Sequence, residues 1–203
     1  ARQLREYFGI VKVGLELFSA AGPEAVGVFV DDGFRVFLDL KLHDIPNTVR
    51  RASRVVGSLG ASMVTVHTAS GVDVARAAVE GLNEGASAAG GEIPIALGVT
   101  ILTSEKERPD GVLRARIGVA VEAGCGGLVC GATEVAGAKA LAPDLIAVVP
   151  GIRMPGSDAN DQSAVATPEA ALAAGADILV IGRTVTAATD RVKAAEALVS
   201  SLA

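Results

Sequence analysis

An α/β fold, and within that class a (β/α)8 barrel, is predicted by three features of this sequence. Apolar runs rich in Val, Ile and Leu alternate with helix-like stretches along most of the 203 residues. Those runs carry few polar interruptions, as expected of parallel strands covered on both faces. No GxGxxG follows an early strand, which weighs against the doubly wound, dinucleotide-binding alternative.

Taken in order, strands are expected at 10–14, 35–42, 62–68, 93–102, 127–130, 145–150 and 177–181. Helical periodicity is expected over 19–31 after the first, 47–59 after the second and 71–84 after the third. The Gly-, Ala- and Ser-rich stretch 84–91 reads as a loop on the helix side of the sheet. Seven strands are one short of eight. The opening ARQLREYF reads as the end of a helix and does not begin with Met. A first strand and most of a first helix are therefore expected upstream of Ala1, roughly 30 residues at one βα unit. Residues 1–203 carry no linker, repeat array or low-complexity tract, and one barrel domain is expected to span them.

Composition narrows the function classes. The chain is 50% hydrophobic but only 3% aromatic, with no Trp, so small aliphatic side chains fill its core. A net charge of -5 argues against nucleic-acid or anionic-membrane partners. No apolar run is long enough to span a bilayer and the start is not signal-like, so a cytoplasmic location is expected. Cys125 and Cys130 fit neither CxxC nor a tetrahedral metal set, and read as packed, reduced thiols.

The second strand carries the densest chemistry. FLDLKLHDIPNTV (37–49) sets Asp39, Lys41 and Asp44 within six residues. Side chains in a strand alternate faces, so Asp39 and Lys41 point one way, and Leu38, Leu40 and Leu42 the other. Asp44 follows the strand, and Pro46-Asn47-Thr48 reads as a turn into a helix. The C-terminal ends of strands are where α/β proteins place their chemistry. Lys12, inside GIVKVG, extends the set to an alternating Lys, Asp, Lys, Asp. Adjacent carboxylates repel by several kcal/mol at ~4 Å in a partly buried site, and intervening lysines offset that. The structural alternatives are a snorkelling edge lysine at Lys12 and an ion-pair network that only stabilises the barrel. Clustering at one strand end favours a functional reading. His43 and His67 read as neutral, structural histidines, with no third ligand in sight for a metal.

The last two strand ends resemble an anion site. VVPGIR places Gly151 and Arg153 after the sixth strand, and ILVIGRTV places Gly182 and Arg183 after the seventh. With one strand upstream these become strands seven and eight, where barrel enzymes bind phosphate through backbone N–H groups and often an arginine. The alternative for Arg183 is a surface arginine that starts a helix. The polar stretch 154–167 reads as a lid from which Gln162 reaches an anion, or as an ordinary loop.

Together FLDLKLHDIPNTV, VKVGLELF, GVTILTS, VVPGIR with a following DQ, and IGR resemble the orotidine 5'-phosphate decarboxylases over nearly the whole chain. DxKxxD alone is shared with the hexulose-phosphate synthases and keto-gulonate-phosphate decarboxylases, whereas the HDIPNTV continuation points to the orotidylate enzyme. The resemblance implies a (β/α)8 barrel working as a homodimer with shared sites, without metal or organic cofactor, in UMP biosynthesis. It implies that Lys12 bonds the ribose and Asp39, and that Asp39 lies beside the substrate carboxylate. Lys41 is then the acid that protonates C6. Asp44, with Ile45 and Thr48, reaches the neighbouring subunit's site. Thr103 lies near the pyrimidine. Pro150, Arg153 and Gln162 belong to the closing loop, and Gln162, Gly182 and Arg183 to the phosphate contacts. The family's ribose-binding aspartate of the first strand has no counterpart here. After DQ this chain has Ser163-Ala164-Val165-Ala166 where the family often has a basic residue.

Two other functions compete. One is a metal-dependent sugar-phosphate aldolase or decarboxylase with the same DxKxxD. The other is a non-catalytic phosphate-binding barrel, whose ligand binding would survive Lys41→Ala.

Overall fold

The computed structural model describes residues 1–102, 104–105, 111–154 and 166–202. After a 3-10 turn (Arg2–Leu4) the elements are β1 (Ile10–Gly14), α1 (Leu15–Ala21), α2 (Glu24–Asp31), β2 (Arg35–Leu42) and α3 (Pro46–Gly57). Next come β3 (Met63–His67), a 3-10 turn (Thr68–Ser70), α4 (Val72–Ala89), β4 (Ile95–Val99), α5 (Val112–Ala123) and β5 (Gly127–Val129). The chain closes with α6 (Val135–Leu141), β6 (Ile146–Val149), α7 (Pro168–Ala173), β7 (Ile178–Leu179), α8 (Arg183–Thr186) and α9 (Arg191–Ser200). The described strands form one parallel sheet in sequence order, β1 to β7, each strand pairing with the next. This is the topology of a (β/α) barrel, in which each strand returns through a helix on the outer face.

Two apolar layers follow from side-chain alternation. Leu38, Val64, Val66 and Leu128 face outward into the core between sheet and helices. Phe37, Met63, Leu97, Val99, Val129 and Val148 form a separate inner cluster. Along β2 the alternation therefore runs Phe37 in, Leu38 out, Asp39 in, which delivers Asp39 to the concave face.

Sequence expectation and structure agree at both ends of β1 and β2, and the larger differences elsewhere have local reasons. The helix expected over 19–31 is two helices that begin earlier, at Leu15. Gly22, at φ 62°, separates them just before Pro23, because the residue preceding proline is driven out of the α region. The strand expected from 93 starts at Ile95, after Pro94. The loop expected over 84–91 is the end of α4, which runs to Ala89 and stops at Gly90 in the left-handed conformation. Its small residues serve packing: a Cβ on Gly85 would stand 2.0 Å from the Arg54 carbonyl oxygen, and one on Gly81 2.3 Å from that of Arg50. Four residues apart, the two glycines share a face and let α4 approach the backbone of α3. Both cysteines are free and buried, and burial pushes Cys125 up to about 11 and Cys130 to about 12. No helix among the described residues is long and apolar enough to cross a membrane.

Candidate active site

The C-terminal ends of the strands surround a cavity of about 570 Å³. Its apolar wall comes from Phe37, Val99 and Val129, and most of its charged groups come from three places. Those are the β1–β2 pair, the end of β6 and the end of β7.

On the first side, Asp39 lies between two ammonium groups. Lys41 Nζ donates to Asp39 Oδ1 at 2.8 Å and to Oδ2 at 2.9 Å. Lys12 Nζ stands 3.5 Å from Oδ2. Parallel pairing puts Gly14 beside Asp39, so Lys12 sits two residues earlier on the neighbouring strand and reaches the same carboxylate. The snorkelling alternative for Lys12 is therefore half met. Its side chain is 38% exposed, yet its head is paired inside the cavity.

β2 reaches this arrangement by leaving regular strand geometry. Leu38 pairs with Val64 and Leu42 with Val66, so three residues of β2 stand opposite Thr65 alone. Within this bulge Lys41 has φ 52°, the sole positive φ at a non-glycine among the described residues. Bulges re-aim side chains, and a left-handed lysine is tolerated where its surroundings hold it. The hold comes from Thr65, which is fully buried. Its Oγ1 accepts from the Lys41 N–H at 2.8 Å and donates to Asp39 Oδ1 at 3.1 Å. Plain alternation had already placed Asp39 and Lys41 together, but neither the bulge nor Thr65 is visible in a hydrophobicity pattern.

On the other side, Pro150, Gly151 and Arg153 follow β6, and Gly182 and Arg183 follow β7; all five line the cavity. Arg153 is 7% exposed and donates Nη1 to the Ile152 carbonyl at 2.8 Å, while its buried Nε has no partner among the described residues. A nearly buried guanidinium with an unused donor beside a cavity suits an anionic ligand. Arg183 opens α8 directly after Gly182. The ends of the expected lid are joined: Ile152 bridges Ala166, and the Arg153 N–H donates to the Ala166 carbonyl at 3.0 Å. Gln162, Thr103 and the span 155–165 lie outside the described residues.

Asp44, Ile45 and Thr48 do not join the cluster within this chain. All three are exposed and none lines the cavity. Asp44 Oδ1 instead accepts from the next amide, that of Ile45, at 2.6 Å. The four-charge alternation expected from the sequence is thus a Lys–Asp–Lys triad here, with Asp44 turned to the outside.

Two further side chains border the site at places the sequence does not predict. Glu16, in the first turn of α1, lines the cavity. Cys130 forms part of its wall, with a thiol so raised by burial, and further by Glu134, that it stays protonated and inert. His67 behaves as expected of a structural histidine: its Nδ1 accepts from the Ala69 amide at 3.2 Å. Burial lowers its pKa, and Arg116 adds to the effect. His43 packs edge-on against it at 5.5 Å and contacts the Ser70 hydroxyl. Among the described residues no three His, Cys, Asp or Glu stand together as a metal-binding group.

A model of the orotidine 5'-phosphate decarboxylase / HUMPS family matches residues 1–198. The chain is 47% identical to the orotidine 5'-phosphate decarboxylase of Nitratidesulfovibrio vulgaris, over all of this chain and 90% of that one. It is 43% identical to the enzyme of the same name from Moorella thermoacetica, over 98% of this chain and 84% of that one. Among solved structures it superposes on orotidine 5'-phosphate decarboxylase from Lactobacillus acidophilus with a TM-score of 0.76 at 36% identity, covering 94% of this chain and 85% of that one.

Proposed function

The chain belongs to the orotidine 5'-phosphate decarboxylase / HUMPS family, and from that membership we propose that it converts orotidine 5'-phosphate to UMP in pyrimidine biosynthesis. The observation that carries this reading is the Lys41 ammonium, held within 2.9 Å of both Asp39 oxygens at a cavity that also presents Arg153 and Arg183. Such a site offers a fixed proton donor at one end and an anion grip at the other.

The chemistry asks for that combination. Breaking the bond from C6 to the carboxylate carbon releases CO2 and leaves its electron pair on C6, in an orbital that the ring does not delocalise. The Lys41 ammonium stabilises that carbanion electrostatically and then donates its proton to C6, giving UMP. Lys41 regains a proton from solvent. Asp39 sets negative charge beside the substrate carboxylate, and that repulsion disappears as CO2 leaves. Lys12 bonds the ribose while anchoring Asp39. Arg153, Arg183, the Gly182 backbone and Gln162 take the phosphate, so that binding energy far from C6 is used to close the site and keep it dry. Thr103 lies near the pyrimidine, and Pro150 belongs to the closing loop.

The active unit in this reading is a homodimer. Ile45 is 66% exposed, and Leu15, at the start of α1, is 61% exposed. Large apolar side chains left open this near the mouth of the sheet suit a second copy, and Asp44, Ile45 and Thr48 then close the neighbour's site. Lys41→Ala and Asp44→Ala protein, each inactive alone, should recover activity when mixed, because one of the two sites in a mixed dimer is intact. A mixed dimer verified by mass that stays inactive would count against sharing.

The deciding experiment follows orotidylate consumption by ultraviolet absorbance with chelator present, using the full-length protein. Turnover under chelator is the expected result. An inert protein that instead acts on sugar phosphates when Mg²⁺ is restored would move it to the hexulose-phosphate side of the family.

A further inference from the structure

We propose that Thr65 is a positioning residue for the decarboxylation, holding Lys41 in its left-handed conformation and fixing the Asp39 carboxylate through a single hydroxyl. The proposal rests on the decarboxylase reading above, and it concerns a residue that does not line the cavity.

The geometry leaves the hydroxyl little choice. Thr65 Oγ1 has one proton and lone pairs to accept with. The Lys41 N–H, 2.8 Å away, occupies it as an acceptor, so its own proton goes to Asp39 Oδ1 at 3.1 Å. Oδ1 therefore receives Thr65 and Lys41 Nζ together, while Oδ2 faces both lysine heads. Both oxygens thus meet an ammonium, but Oδ1 alone is also tied to the sheet. A carboxylate free to rotate would carry Lys41 Nζ with it.

The same hydroxyl compensates for the bulge. Where β2 inserts its extra residues opposite Thr65, regular ladder pairing is interrupted, and the Lys41 amide needs another acceptor. Thr65 is fully buried, so water does not compete for the place. Its branched Cβ leaves few side-chain rotamers, which fixes Oγ1 relative to β3. A left-handed lysine persists only where such contacts over-determine it.

Thr65→Val keeps the shape and removes the hydroxyl, whereas Thr65→Ser keeps the hydroxyl. With a charge-assisted hydrogen bond lost, kcat of Thr65→Val should fall roughly ten- to hundredfold. KM should move by less than about threefold, since the phosphate and ribose contacts are untouched. Thr65→Ser should recover most of kcat. Wild-type kcat in Thr65→Val, equal losses in the Val and Ser proteins, or a loss carried by KM would each overturn the proposal. Should Thr65→Val fail to fold by circular dichroism, Thr65→Ala carries the same expectations. A crystal structure of the hydroxyl-free variant gives a readout independent of turnover. Lys41 should leave positive φ, or the Asp39 carboxylate should turn away from it; both unmoved would overturn the proposal even if wild-type protein proved inert toward orotidylate. That inertness alone would sink the decarboxylase reading and leave the geometric result standing.

Discussion

The bulge of β2 and the seam between α3 and α4 both break a local rule, and they break it for opposite ends. In the seam, Gly81 and Gly85 sit inside a long helix, where glycine costs about 1 kcal/mol against alanine. The return is close approach, because a Cβ on either would meet α3 carbonyl oxygen at 2.0 to 2.3 Å. In the bulge, the residue that would best suit φ 52° is glycine, and lysine stands there instead. The seam spends helix propensity on packing and so serves stability. The bulge spends backbone strain on placing an ammonium and so serves chemistry. Substitutions toward the locally preferred residue should therefore have opposite consequences in the two regions.

The largest effect is expected at Lys41. Loss of a general acid alone lowers turnover roughly 10²- to 10⁴-fold, and Lys41→Ala and Lys41→Gly should both lose at least that much. Between these two inactive proteins the glycine form should be more stable, by about 1 kcal/mol, because only alanine carries the left-handed penalty. Chemical denaturation of the pair measures it. An alanine form as stable as the glycine form would show that the strain is not stored at this residue.

The mirror experiment is Gly85→Ala. Helix propensity favours the change, but the methyl would meet a backbone oxygen that has no flexible end to yield, so overpacking wins by about 2–3 kcal/mol. In a chain of this size that lowers Tm by about 5–10 °C. The kcat of the protein that remains folded should not change. An unaltered Tm would mean that the helices separate freely, and the contrast with the bulge would fail.

These regions also mark what the sequence made legible. The bounds of β2, the coming together of Asp39 with Lys41 and Lys12, and the cavity positions of Arg153 and Arg183 all follow from alternation and from charges at strand ends. The bulge does not, since inserted residues leave the composition of a strand unchanged. Thr65 is hidden for a related reason: threonine in an apolar strand is ordinary, and only the register shows what its hydroxyl faces. The end of α4 is not legible because glycine and alanine mark loops and close helix contacts alike, and the sequence does not say what lies across from them. Proximity in sequence groups Asp44 with the cluster, whereas within one chain the turn after β2 carries it outward.

The smallest effect concerns pH and shows whether the site's neighbours impose a cost of their own. His67 ends β3, two residues beyond Thr65, and burial together with the Arg116 charge lowers its pKa from the ordinary value. With the folded value below the unfolded one, the unfolded chain binds more protons as acid is added. The stability associated with neutral His67 is complete above about pH 6.5 and is lost as pH falls below it toward the folded value. One proton is involved, so the slope from this residue cannot exceed about 1.4 kcal/mol per pH unit. In His67→Asn an amide oxygen can still accept from the Ala69 N–H. That protein should unfold with a flatter pH dependence between pH 6.5 and the carboxylate range, with little change near neutrality. Because Lys41 and Asp39 are bonded to Thr65 and not to His67, kcat near neutrality should follow wild type. A large loss of kcat would place His67 with the bulge and its chemistry; an unchanged kcat with a flatter acid limb places it with the packing residues, as the seam glycines are.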